Sequence, residues 1–333
     1  MKKSTIVMLC VGFALLVLGG GIFFLTFSMG AVGYEGNFLQ LGFGPNRNSE
    51  PLYYDDNSYD SQETYTYGGR VYENKVLDLE GENAQFTQVE LQLGVADAVI
   101  TQDGGPGYVN AENFPEGKIS FQVADGKLVV QDLTQKVNFN FSLRQSKQLR
   151  ARKLTVNLPP EVKLSAVSLN RGAGDLSVTG VSADTITIAD GVGNLYMENV
   201  SVNSMNLSSG VGDCTLVNFI STGNMVITRG VGEMELSQAD IGGNLTVSGG
   251  TGDFDLNGAV KGDISIDAGV GDCDLELFGS RDDYYFTLEK GVGDLTVDDI
   301  DFSSKQKTFG LEGAPYNVSL KGGTGDISVE FLQ

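Results

Sequence analysis

The chain has 333 residues, no His and no Trp, and 43 acidic against 22 basic side chains, for a formal net charge of -21. Without imidazole there can be no Ser-His-Asp triad, no Cys-His nucleophile and no His-ligated metal, so any chemistry must rest on carboxylates, Lys, Tyr or Ser. The negative balance repels phosphate backbones and argues against nucleic acid as a partner.

After Lys2 and Lys3, the stretch from Ser4 to Gly33 carries no charged residue, and its centre is dense in Val, Leu, Ile and Phe. That is long enough to cross a bilayer as a helix, and longer than the apolar core of about 7–15 residues in a cleavable signal peptide. The expected organisation is a cytoplasmic tail at 1–4 and a transmembrane helix or signal anchor at 5–30. Cys10 follows Leu9 rather than a small residue, which does not fit a lipoprotein acylation site. Positive charge lies only before the span, and Glu35 is the first charge after it. The positive-inside rule therefore predicts a single membrane pass, N-terminus cytoplasmic and C-terminal domain extracytoplasmic, and the short basic, apolar, then acidic order points to a bacterial cell membrane. Residues 34–75 shift to Tyr, Asn, Ser and acidic side chains, including Tyr53, Tyr54, Tyr59, Tyr65 and Tyr67. This composition predicts a linker lifting a folded domain, 76–333, off the membrane.

Residues 76–165 read as an N-terminal cap with degenerate coils. The run from Phe86 to Thr101 has Val89 and Leu91 before Gly94, and Ala98 and Ile100 after it, 78 residues or about four periods before Gly172. Gly117 to Leu133 reads as a hairpin turning at Ala124, Asp125 and Gly126. Leu154 to Leu169 reads as two strands separated by Pro159 and Pro160. Between them stands a basic cluster, Arg144, Lys147, Arg150, Arg152 and Lys153. It either docks a polyanion, such as lipid headgroups or a wall polymer, or neutralises carboxylates of the cap.

Residues 166–333 carry a regular repeat. A Gly-x-Gly corner followed by Asp, Asn or Glu stands at Gly172, Gly174 and Asp175; Gly191, Gly193 and Asn194; Gly210, Gly212 and Asp213; Gly230, Gly232 and Glu233; Gly250, Gly252 and Asp253; Gly269, Gly271 and Asp272; Gly291, Gly293 and Asp294; and Gly323, Gly325 and Asp326. Successive corners are 19, 19, 20, 20, 19, 22 and 32 residues apart. Around each, apolar residues recur five and three positions before the first Gly and four and six after it, as in Val167, Leu169, Leu176 and Val178. Apolar-polar-apolar triplets are the period of a strand with one buried face. Such short strands are stable only when the next coil stacks on them. The predicted fold is all-β: a single-coil β-solenoid (β-helix) of 19–22-residue repeats, preceded by one N-terminal transmembrane helix. A further apolar position nine residues after the first Gly, including Val181, Ala259, Phe278, Ile300 and Leu332, is expected to point inward. Cys214 and Cys273 fall on one inward ladder three coils apart, beyond disulfide reach. The last coil should leave unpaired strand edges, a route to end-to-end polymerisation.

The acidic corner residue fits a cap on backbone amides, a role Asn194 fills equally well. The alternative is a hard-cation ladder along Asp253, Asp272 and Asp294, taken as three consecutive coils. Calcium nonapeptide repeats differ in spacing, and a dinucleotide fingerprint needs a third Gly and a long helix. The extra residues of the last two intervals, around Arg281 to Tyr285 and Asp298 to Pro315, are expected to form loops. There Asp282, Asp283, Lys305, Lys307 and Glu312 are the candidates for a β-helix carbohydrate-active enzyme, which would need paired carboxylates in a cleft. No catalytic residue, cofactor or metal is assigned.

An N-terminal apolar segment, the cap sequence NLPPEV (Asn157 to Val162) and the Gly-x-Gly-Asp-apolar-x-apolar repeats together resemble the bacterial putative-adhesin family of envelope β-solenoids. That family, a domain of unknown function, includes LiaG-like proteins of cell-envelope stress operons. The resemblance covers Val76 to Gln333 and implies a surface or envelope role without catalysis. The leading expectation is a membrane-anchored extracytoplasmic β-solenoid that binds or scaffolds envelope components, with a cell-wall polymer or another envelope protein as partner. The alternatives are a sensory or regulatory partner of an envelope-stress system, and the carbohydrate-active enzyme.

Overall fold

The structure is a computed structural model that describes residues 64–67, 70–134, 151–298 and 300–332. These form an all-β stack whose only helical pieces are two short 3-10 turns, Gly81–Ala84 and Arg281–Asp283. Each repeat contributes one strand before its glycine corner and one after it. Equivalent strands of successive repeats pair in parallel, offset by one repeat. On one face the register runs Val167, Ile186, Met205, Met225, Leu245, Ile264. On the other it runs Leu176, Leu195, Cys214, Met234, Phe254, Cys273. All of these are buried between the two faces, at roughly 1.5–3 kcal/mol per large side chain. Cys214 and Cys273 are unpaired and buried.

Coil order in space departs from chain order at both ends. The Gly323 coil lies between the Gly269 and Gly291 coils: Ile264 pairs with Val318 and Cys273 with Ile327, while Phe286 and Leu295 pair with the far sides of Val318 and Ile327. This accounts for both long intervals. Gly279–Asp283 must step over one coil, about 9.6 Å instead of about 4.8 Å, and the chain must then return. Hence Asp272 and Asp294 are not neighbours, as the cation ladder required; Asp326 stands between them. At the other end, Gln88–Val95 and Asp97–Thr101 lie between Leu164–Thr179 on one side and Lys127–Asp132 with Lys153–Asn157 on the other. Val89 faces Val167 directly, so the 78-residue separation spans one coil step rather than four.

The end coils are not bare. Gln306–Gly310 and Ile300–Asp301 pair antiparallel with the outermost coil at the C-terminal end. At the N-terminal end, Ile119–Ala124 covers Lys127–Asp132, and Tyr108–Pro115 covers Lys153–Asn157. The expected free edge is therefore replaced by antiparallel covers, one of the ways sheets avoid edge pairing. The Ile119–Asp132 hairpin turns at Asp125 and Gly126, both left-handed with φ of 51° and 72°. Upstream, Thr64–Tyr67 and Arg70–Asp78 are strands, the second paired with Tyr108–Pro115. The sheet thus starts inside the stretch read as linker, because Tyr72 and its neighbours have a partner strand that composition does not reveal.

The second corner holds its expected pattern only through the Gly230 coil. There a left-handed residue, Gly180, Asn199, Asn218 or Gln238 (φ 50–69°), precedes buried Val181, Val200, Phe219 and Ala239. Ala239 then pairs with Gly258, across a register irregularity, and Gly258 with Leu277. Without the left-handed residue the alternation slips by one. Leu277 is buried, Ala259 is half-buried, and Phe278, Ile300 and Leu332 face outward.

Candidate interaction surface

The glycine corners stack on one another so closely that no side chain fits. The second glycines, Gly174, Gly193, Gly212, Gly232, Gly252, Gly271, Gly325 and Gly293, all have φ between 121° and 144°. A Cβ at Gly212 would lie 2.1 Å from the Gly193 carbonyl oxygen. First glycines are equally confined; a Cβ at Gly210 would meet the Gly191 oxygen at 1.8 Å. Between them, Val192, Val211, Val231, Thr251, Val270, Thr324 and Val292 form a column of parallel bridges.

The acidic corner residues cap the next coil rather than their own. The Asp175 carboxylate accepts from the Asn194 N–H at 2.9 Å, the Asn194 side-chain oxygen from Asp213 N–H at 3.0 Å, and Asp213 from Glu233 N–H at 3.1 Å. The ladder resumes with Asp253 accepting from Asp272, Asp272 from Asp326 and Asp326 from Asp294, at 2.7–2.9 Å. Among the described residues no such bond joins Glu233 to Asp253 N–H; the Glu side chain is one methylene longer than the Asp and Asn caps. Among the described residues no group of three or more acidic or Cys side chains is arranged to hold a metal ion.

Beside these caps lies a concentration of negative charge. Outward positions of the strands after the corner hold Glu235, Asp255 and Asp274 in one register column and Glu276 and Glu330 in another. All five are exposed. Partial burial pushes the Asp255 and Asp274 carboxyls up from the ordinary range, and the carboxylates of Asp253, Asp272, Glu233 and Glu235 push in the same direction. The opposite face has one uncharged outward column, Thr187, Asn206, Val226, Thr246, Ser265, Ser319 and Thr287, and beside it Asp267, Lys321 and Glu289, with Lys321 paired to Asp267 at 2.7 Å.

Inside the corner sit charges that the repeat pattern did not flag. Arg171 and Asp190 occupy the same repeat position in adjacent coils, directly before the first Gly. They form a buried ion pair at 2.5 Å, their side chains 2% and 3% exposed. Burial outweighs the guanidinium's pull and leaves the Asp190 carboxyl raised. Opposite charges one period apart at one repeat position were the available signal. Among the described residues Arg229 has no carboxylate partner; it donates to the carbonyls of Gly252, Asp253 (2.8 Å) and Ala268 (3.3 Å) and lies over the Phe254 ring. Burial lowers its pKa. Burial likewise pushes the Cys214 and Cys273 thiols up to about 12, which makes them inert hydrophobes.

Of the basic cluster, Arg144, Lys147 and Arg150 lie outside the described residues. Arg152 is largely buried against Asp132 and the Phe114 ring, and only Lys153 is exposed. The structure thus commits Arg152 to the cap rather than to an external polyanion. Asp282 and Asp283 are exposed on a 3-10 turn, Lys305 and Lys307 on or beside the covering strand, and Glu312 in the loop after it. A shallow hollow of about 390 Å³ opens near Phe86, Gly126, Glu161 and Lys163, at the other end of the stack. The stretch 5–30 lies outside the described residues, among which no helix is long and apolar enough to cross a membrane.

Stacked glycine corners, inter-coil caps and broad outward sheet faces define an all-β repeat protein. The model of the Toastrack DUF4097 family matches residues 86–330, and the chain belongs to that family. A search of curated proteins gives no match. Solved structures similar to this chain include a putative adhesin from Bacteroides fragilis, 16% identical over 78% of this chain and 96% of that one, with a TM-score of 0.38. Two from Parabacteroides distasonis are a putative adhesin (14% identity, 78% and 96% coverage, TM-score 0.40) and a putative lipid binding protein (13%, 78% and 97%, 0.40). Superpositions this loose carry no argument about ligand or shape.

Proposed function

We propose that this chain is a non-catalytic, membrane-anchored β-solenoid on the outer side of a bacterial cell membrane, binding or scaffolding envelope components through its sheet faces. The carrying observation is the contrast between the faces: Glu235, Asp255, Asp274, Glu276 and Glu330 crowd one, while the other has an uncharged outward column beside a mixed set, Asp267, Lys321 and Glu289, in which Lys321 pairs with Asp267. Like charges in adjacent parallel strands repel by roughly 1 kcal/mol per pair even in water. A cationic partner relieves that repulsion, which makes positively charged groups of an envelope protein or modified wall polymer the preferred ligands. Support for the address comes from the uncharged stretch after Lys2 and Lys3.

Co-sedimentation of the full chain in detergent with washed envelope fractions tests the reading. The wild type is expected in the pellet at low salt and released as salt rises. The triple variant Glu235→Gln, Asp255→Asn, Asp274→Asn should stay in the supernatant. Equal pelleting of the two, or none by either, contradicts the proposal.

A further inference from the structure

The sheet that follows the glycine corners is electrically polar along its length. One outward register column is uncharged from Thr155 through Tyr196 to Thr215, and acidic at Glu235, Asp255 and Asp274. At the acidic end Phe278 and Leu332 stand opposite each other in register, beside Glu276 and Glu330, and are 44% and 38% exposed. An exposed apolar pair bordered by carboxylates fits a segment that combines basic and apolar side chains, which covers the one while neutralising the other.

The chain carries such a segment at the other end of the same sheet. Residues 133–160 hold six basic side chains and no acidic one, and Val137, Phe139, Phe141 and Leu143 alternate with polar residues just before Arg144. Arg144, Lys147 and Arg150 lie outside the described residues; the strand after them, Lys153–Asn157, opens on exposed Lys153 and pairs within the sheet that bears the acids. The segment cannot serve its own acids. Seven coil steps separate Leu154 from Cys273 along the register, about 34 Å at the parallel-strand spacing. Lys147 stands four residues before Ala151 and reaches at most about 14 Å from it. In a second copy lying antiparallel, each basic end meets the other's acidic end, an isologous arrangement that makes both contacts at once.

Resting on the proposal that the acidic face binds cationic groups, we infer that one such partner is a second copy of this chain, whose residues 144–153 dock on Asp255, Asp274, Glu276 and Phe278 in an antiparallel dimer. Charge reversal tests it on full-length chains in nonionic detergent at low salt, with the dimer dissociation constant read by sedimentation. One variant carries Arg144→Glu, Lys147→Glu and Arg150→Glu; the other carries Glu235→Lys, Asp255→Lys and Asp274→Lys. Each alone should dimerise at least tenfold more weakly than the wild type. Their equimolar mixture should recover the wild-type constant, because each segment then meets a face of opposite charge. A chain carrying all six reversals should recover it as well, which separates lost contact from lost folding. A monomeric wild type, a constant that either triple reversal leaves unchanged, or a mixture no tighter than its components overturns the inference. So does a segment reversal that weakens only binding to anionic lipid vesicles, which would assign those basic residues to the membrane. No envelope material is present, so failure here leaves the co-sedimentation result standing, and the reverse.

Discussion

At the residue scale the stack is governed by what its corners exclude. Gly212 needs both its left-handed φ of 139° and its missing side chain, since a Cβ would overlap the Gly193 carbonyl. Gly212→Ala should therefore cost roughly 4 kcal/mol or more by chemical denaturation, whereas Val211→Thr, which keeps the β-branch seen at Thr251 and Thr324, should change stability by about 0.5 kcal/mol or less. The cap ladder is interrupted only at Glu233, so Glu233→Asp should restore the bond to Asp253 N–H and raise stability by about 0.5–1 kcal/mol. A loss instead would show that the Glu is held by its surroundings. Arg171→Leu strands the Asp190 carboxylate in the core and should cost about 3–5 kcal/mol, with Arg171→Leu/Asp190→Leu recovering much of it. The glycines and acids of the corner were legible as a spaced motif. The partner of each acid was not, because a period of 19 or 20 residues does not say whether a carboxylate bonds its own coil or the next.

At the element scale, the strands after the corner carry the charge that gives the two faces their difference. Asp255 and Asp274 have folded-state pKa values above their ordinary ones. An acid whose pKa is raised on folding binds more protons in the native state, so acidification through the window above the ordinary carboxylate pKa stabilises the fold. The melting temperature should rise as pH falls from 7 toward the raised values, and Asp255→Asn/Asp274→Asn should flatten that slope. A wild-type melting temperature that falls monotonically over the same range contradicts this. Alternation along these strands was readable wherever a left-handed residue kept the second corner in phase. It failed at Ala259, Phe278 and Leu332 because the loss of one bulged residue, invisible in an apolar count, turns the following side chains over, and at Ile300 because the chain doubles back there, after left-handed Asp298, into an antiparallel pair with Val297.

At the scale of the whole molecule, the two tucked coils define the architecture. Both were illegible for the same reason: every repeat presents the same apolar period, so parallel edges are chemically interchangeable, and only the intervals of 22 and 32 residues hint that the chain skips a place. Because antiparallel strands cover both ends, the sheet faces are the broad outward surface. The corner carboxylates of Asp175, Asp253, Asp272 and Asp326 already accept from backbone N–H groups of the next coil. Melting in EDTA and in millimolar calcium should agree, once matched against magnesium at equal ionic strength; a calcium-specific rise would reinstate the corner acids as ligands. The central claim, that the acidic face meets envelope partners outside the membrane, is tested most directly by site-specific photocrosslinking in intact cells. A crosslinker at Asp255 should give discrete adducts with envelope components, and one at Ser265 in the uncharged column of the other face few or none. Adducts of equal yield from both faces, or from neither, would contradict the account.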